Sequence, residues 1–168
     1  MGLILSMSLF MQVFIMRHGE AENFAPSDAE RALTTKGEQQ TIAMAEWLSS
    51  QLTNDIDYVL VSPYLRAQQT WQAIEKTLPI NAHVETCEEI TPYGHSDDVA
   101  EYLKALISTK SLKSVLVVSH LPLVGYLTAE LVPGLTAPMF FTSGINCIEF
   151  ETDLEQGRLL WHRSPANL

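Results

Sequence analysis

Cysteine is scarce: Cys87 and Cys147 are the only two in 168 residues, far apart and without a CxxC pair. That spacing excludes a disulfide framework, a zinc ribbon and a thioredoxin-like redox motif, and it fits a reducing compartment. Basic residues are few as well, with ten Lys and Arg against twenty Asp and Glu, a net charge of −10 and a pI near 4.8. The chain therefore lacks the broad cationic field that a polyanion backbone demands, and nucleic acid is not an expected partner. The five histidines form neither an HExxH motif nor an i, i+4 pair, so no metal and no cofactor are expected. Long apolar runs are missing beyond the uncharged stretch Met1 to Met16. That stretch is at or below the ~17–25 residues of a spanning helix and has no basic n-region. The expectation is no export, no stable membrane association and a cytoplasmic location. Met1-Gly2 with Ser6 matches the loose myristoylation pattern, but residues 1–10 are read simply as an extension. Without repeats or Pro/Gly/Ser-rich linkers, the remainder, 11–168, is read as one domain.

What is present is enough apolar material for a core, 46% hydrophobic residues against 18% charged. At this length a globular chain buries roughly 68–70% of its unfolded surface. Met11 to Met16 is short, apolar and rich in strand formers. Thr35-Lys36-Gly37-Glu38 has capping-box spacing ahead of Met44, Leu48 and Leu52, which predicts a first helix. Tyr58 to Val61 predicts a second strand. Ser62 and Pro63 then read as N-cap and first helical residue, with Tyr64, Ala67, Trp71, Ile74 and Leu78 on one face. A weaker strand near Ala82 to Glu85 precedes a helix capped by Ser96 and patterned by Val99, Tyr102, Leu103 and Leu106. Val115 to Val118 is a buried strand, Pro122 opens a helix to about Glu130, and strands Ile145 to Phe150 and Arg158 to His162 join at a Gln156-Gly157 turn. Uninterrupted apolar strands alternating with helices imply a three-layer α/β/α fold with a mostly parallel sheet.

Open parallel sheets place ligands beyond the carboxyl ends of their strands. The first strand ends in Arg17-His18-Gly19, the second leads to Arg66, and the fourth ends in Ser119-His120. Arg66 falls in the first turn of its helix, where the macrodipole disfavours an exposed cation by about 0.3–1 kcal/mol. A bound anion reverses that sign, because helix amides and the guanidinium then act together. Two imidazoles and two guanidiniums at one edge of an acidic protein suit a phosphoryl group. A neutral imidazole with its tautomer fixed is a competent nucleophile toward phosphorus. His18 is the candidate nucleophile, with Gly19 permitting close backbone approach and offering a carbonyl to the other ring nitrogen. Arg17, Arg66 and His120 are candidates for stabilising the equatorial oxygens. Arg31, in the polar loop, is a further candidate, with a solvated surface role as the alternative.

Met11-Gln12-Val13-Phe14-Ile15-Met16-Arg17-His18-Gly19 resembles the opening of the histidine phosphatase superfamily, also called phosphoglycerate mutase-like. Leu33-Thr34-Thr35-Lys36-Gly37, Ser62-Pro63-Tyr64-Leu65-Arg66-Ala67-Gln68-Gln69-Thr70 and Val117-Val118-Ser119-His120 are similar to its later motifs. Within that superfamily the chain most resembles the SixA-type phosphohistidine phosphatases. That likeness extends through Ser119 to Tyr126, Pro138-Met139-Phe140 and the terminal Ser164 to Leu168. The resemblance implies that His18 carries a transient phosphoryl group held by Arg17, Arg66 and His120. It also implies a partner bearing phosphohistidine, a phosphorelay or phosphotransferase protein.

Ala21 stands where the mutase and sugar-phosphatase branches usually have Thr or Ser, and Asn23 does not align with their Asn. Their lid insertion is also missing: only Leu78 to Lys113 separates the second and fourth strand regions. An open site suits a phosphorylated side chain on another protein, since small-molecule cages typically bury 70–90% of a ligand. Glu89 occupies the region where the superfamily often places its acid, with an ordinary exposed carboxylate as the alternative. Phosphohistidine lessens the need for such an acid, because its own protonated far nitrogen lets imidazole leave neutral. Two other readings are a broad phosphomonoesterase of small metabolites and a phosphate-sensing module without turnover.

Overall fold

The computed structural model describes residues 10–78 and 81–168. The myristoylation pattern and the rest of the extension lie outside the described residues, apart from Phe10, which opens the first strand. Strands β1 (Phe10–Arg17), β2 (Tyr58–Val61), β3 (His83–Thr86), β4 (Ser114–Ser119), β5 (Ile145–Glu151) and β6 (Gln156–Arg163) form one sheet in the order β3-β2-β4-β1-β5-β6. The four strands from β3 to β1 are parallel, and β5 and β6 add antiparallel beyond β1.

Helices α1 (Thr35–Gln51) and α2 (Leu65–Thr77) cover one face, and α3 (Ser96–Lys110) and α4 (Leu123–Leu131) cover the other. The period-two geometry of a strand explains the division. Along β1, Val13 and Ile15 pack with Leu103 and Leu127, whereas Phe14 and Met16 pack with Met44, Leu48, Trp71 and Ile74. β4 is buried at all six positions because helices cover both of its faces. Each fully buried Val, Leu or Ile stabilises the fold by about 1.5–3 kcal/mol relative to exposure. This is the expected three-layer α/β/α arrangement. No helix among the described residues is long and apolar enough to cross a membrane.

Several local expectations need correcting. The cap of α1 is Thr34, not Thr35: its Oγ1 accepts from the Gly37 N–H at 2.9 Å, so Glu38 cannot close the predicted box. Helix α2 begins at Leu65 because Pro63 and Tyr64 stay out of the helix; Tyr64 at the N-cap is extended, and Ser62 Oγ accepts from the Tyr64 N–H at 3.3 Å ahead of the helix. Ser96 is the first residue of α3 rather than its cap, and Pro122 precedes α4 instead of lying within it. Gln156 and Gly157 sit inside β6, paired with Glu151 and Phe150. The reversal comes earlier, where Glu155 supplies the left-handed residue at φ 51°.

Candidate active site

The carboxyl ends of β1, β2 and β4 converge on a cavity of about 380 Å³ whose lining includes Arg17, His18, Asp28, Arg31, Arg66 and His120. All five candidate cations and imidazoles are thus brought together. Glu89 is not part of that lining. It is exposed, in the turn after β3, and its carboxylate accepts from Cys87 Sγ at 3.3 Å.

His18 leaves β1 with its backbone pinned on both sides: its N–H donates to Ser119 O at 2.9 Å and its carbonyl accepts from Ser143 N at 3.0 Å. Nδ1 lies 2.7 Å from the Gly19 carbonyl, which can only accept, so Nδ1 carries the proton and Nε2 presents a lone pair. Arg66 Nε–H points at that lone pair from 3.2 Å. Gly19 is compressed in this corner. A Cβ there would meet Thr41 Oγ1 at 2.8 Å and the Gly37 carbonyl at 2.9 Å. Gly37 is in turn needed because α1 packs its first turn directly on the Glu20 backbone. Thr34 joins the same corner, capping α1 while its hydroxyl donates to Glu20 Oε2 at 2.8 Å.

Arg66 is 3% exposed, and each of its three nitrogens has a partner, which leaves two of its five N–H donors for a ligand. Besides His18 it donates through Nη1 to Asp28 O at 2.6 Å and through Nη2 to Asp28 Oδ2 at 3.1 Å. Asp28 also accepts from Arg31 Nε at 2.8 Å, so one carboxylate bridges two cavity guanidiniums. Burial works to raise the Asp28 pKa, but the hydrogen bonds from Arg31 and Arg66 outweigh it and hold the carboxyl below its usual range. Thr70 ties the helix to the strand end, accepting from Gly19 N at 3.0 Å and donating to Arg66 O at 2.7 Å.

His120 sits beside His18 with ring centroids 4.9 Å apart, and its Nε2 lies 2.7 Å from Ser62 Oγ. Arg17 donates through Nη1 to the Phe140 carbonyl at 2.8 Å. Among the described residues, two buried side-chain polar atoms lack a hydrogen-bond partner: Arg17 Nε and His120 Nδ1. Both belong to this cavity. A buried polar atom left unsatisfied costs about 1–3 kcal/mol, so a pair of them on residues lining one pocket marks a place prepared for a polar ligand.

Electrostatics match the geometry. Burial, chiefly, pushes His18 down to about 4, reinforced by the charges of Arg66, Arg17 and Arg31 and opposed by the Gly19 carbonyl bond. His120 is driven to about 2 by burial first, then by His18 and Arg66. Burial, then Arg66, also lowers the Arg17 pKa. Both imidazoles are therefore neutral in the free protein near pH 7. Because an unfolded histidine titrates near 6.5, the unfolded chain binds more protons between pH 6.5 and 4. Stability is expected to be full above about pH 6.5 and to fall as pH drops toward 4, by up to ~1.4 kcal/mol per pH unit for each imidazole. Denaturant titrations at pH 7, 5.5 and 4.5 check this; a flat profile would contradict buried neutral imidazoles.

Ser62, Thr70, Asp28 and the Phe140 carbonyl were not singled out by sequence reasoning. The Ser62-Pro63 pair imitates a helix cap, and Asp28 gains its meaning only when the polar loop folds across α2.

Fold and site together define an α/β phosphatase of the kind built around an Arg-His-Gly strand end. The chain belongs to the histidine phosphatase superfamily (branch 1), whose family model matches residues 13–91. It is 48% identical to the phosphohistidine phosphatase SixA of Escherichia coli (strain K12) over 158 residues, which are 94% of this chain and 96% of that one. It is 47% identical to the SixA homolog of Haemophilus influenzae over 127 residues, 72% of this chain and 77% of that one. A solved structure of the protein histidine phosphatase SixA complexed with tungstate matches with a TM-score of 0.88 at 48% identity, covering 94% of this chain and 99% of that one.

Proposed function

We propose that this chain is a phosphohistidine phosphatase that removes phosphoryl groups from histidine side chains of proteins through a phosphoenzyme on His18. The observation that carries the reading is the pair of orphaned buried nitrogens, Arg17 Nε and His120 Nδ1, on two residues that line the same cavity as an unprotonated His18 Nε2. A phosphoryl group supplies oxygens to those two nitrogens and phosphorus to the lone pair. The relatives named phosphohistidine phosphatase SixA, and the tungstate complex of one such protein, support the same assignment.

In the first step the His18 Nε2 lone pair forms a bond to phosphorus as the P–N bond of the substrate breaks. The leaving imidazole keeps that electron pair and departs neutral, because its far nitrogen already carries a proton. The positive charge then on His18 is shared through Nδ1–H with the Gly19 carbonyl. In the second step water adds to phosphorus, one of its protons passes to a phosphoryl oxygen, and His18 leaves with its lone pair restored as the P–N bond breaks, releasing inorganic phosphate as dihydrogen phosphate. Arg17, Arg66 and His120 hold the equatorial oxygens, and Arg31 adds charge through the Asp28 bridge. The reading places no demand on Glu89 for the departing imidazole.

The partner in this reading is a phosphorelay or phosphotransferase protein. The compartment is the cytoplasm, consistent with Cys87 and Cys147 being free and buried. The test compares kcat/KM on a histidine-phosphorylated carrier protein with that on a panel of sugar phosphates. The carrier is expected to be preferred by about 10²-fold or more, since an alkoxide leaving group needs an external proton that imidazolium does not. Preference for sugar phosphates would instead establish a small-molecule phosphomonoesterase. Tight phosphate binding without any turnover would establish a sensor.

A further inference from the structure

The cavity accommodates a phosphoryl group, and the remainder of a protein substrate must meet the surface around its mouth. Three separate loops that supply lining residues also carry exposed large apolar side chains. Phe24 is 92% exposed in the loop between the lining residues Ala21 and Asp28, and Tyr93 is 78% exposed next to the lining residue Pro92. Met139 and Phe141 are 75% and 67% exposed on either side of Phe140, whose carbonyl holds Arg17, and Thr142 beyond them lines the cavity. The chain buries Phe14, Phe140 and Phe150 almost completely, so exposure of this size is not a shortage of core. Surface apolar residues scattered singly are ordinary, whereas several around one functional mouth mark an interaction site.

Charge points the same way. The net charge of −10 gives no general attraction toward an acidic protein, and the guanidiniums of the cavity floor are committed to the phosphoryl group and to Asp28. Uncharged surface remains for adhesion between enzyme and carrier, and aromatic and Met side chains are the types enriched in such contacts.

We propose that Phe24, Tyr93, Met139 and Phe141 form an apolar collar that docks the protein carrying the phosphohistidine, seating an apolar rim around that residue. The inference rests on the phosphohistidine reading above and goes beyond it by naming the surface that separates a protein substrate from a small one. The collar contributes to capture of the partner and not to the chemical step, so its removal is expected to raise KM and leave kcat near its normal value.

The experiment uses the full chain with Phe24→Ser, Met139→Ser and Phe141→Ser, singly and together. Two substrates are used, a histidine-phosphorylated phosphotransferase carrier protein and phosphoramidate, which shares the P–N bond but is too small to reach the rim. The triple variant is expected to lose about 10- to 100-fold in kcat/KM on the carrier, through KM, and less than about twofold on phosphoramidate. Equal losses on both substrates, or no loss on either, overturn the collar. A wild-type enzyme that turns over phosphoramidate yet shows no advantage for the carrier overturns the protein-substrate reading itself. The side chains are exposed, so thermal unfolding of each variant close to that of wild type is part of the expected result.

Discussion

Replacing His18 with alanine is expected to abolish the acid-labile phosphoenzyme and to reduce turnover by on the order of 10³- to 10⁶-fold. The size of the effect follows from the geometry. Nε2 carries a lone pair that Arg66 Nε–H approaches at 3.2 Å, the proton is fixed on Nδ1 by Gly19 O, and burial with three nearby guanidiniums pushes the pKa down to about 4, so the ring is neutral near pH 7. His120 does not take over. Its Nε2 is occupied by Ser62 Oγ at 2.7 Å and its Nδ1 is buried. Labelling with a phosphohistidine donor, followed by acid and base stability tests, checks the prediction. A wild-type level of acid-labile label in the alanine variant would place the covalent step elsewhere.

The second large effect is expected at Arg66. Arg66→Ala should lower kcat/KM by about 10²–10³-fold, comparable with loss of a preorganised oxyanion donor. Arg66→Lys should recover little of it, since an ammonium cannot span His18 Nε2, Asp28 O and Asp28 Oδ2 at once. The alanine variant has a second signature. Arg66 is among the charges that depress both His18 and His120, so its removal lets both pKa values rise. The acid limb of the pH–rate profile should therefore move to higher pH. A lower rate with an unmoved limb would mean that Arg66 acts only by holding the loop of Asp28.

Much of this site was legible in the sequence because its groups sit at strand ends. The apolar runs of β1 and β4 stop abruptly at Arg17 and Ser119, and a parallel pair in register puts the residues that follow side by side. Arg66 was legible as a cation in the first turn of a helix, a position that calls for an anion. The parts that escaped are those whose partners are distant in sequence. Ser62 carries the local signature of a cap, yet the extended Tyr64 moves the helix start to Leu65 and leaves the hydroxyl 2.7 Å from His120. Asp28 looks like one acidic loop residue among several, and only tertiary folding lays its carboxylate between Arg31 and Arg66. The unsatisfied nitrogens of Arg17 and His120 are properties of three-dimensional packing and have no linear signature.

The separation of the two imidazoles has a consequence for durability. Arg17 is in register with Ser119, so His18 and His120 emerge from adjacent strands, and their 4.9 Å spacing is close to the ~4.8 Å repeat between neighbouring strands of any sheet. The two residues are therefore carried by neighbouring strand ends, while their rings are held by Gly19 O, Arg66 and Ser62. Those two strands are interior to the sheet, flanked by β2 and β5. Fraying of the outermost strands β3 and β6 leaves the two strand ends that carry the pair in place.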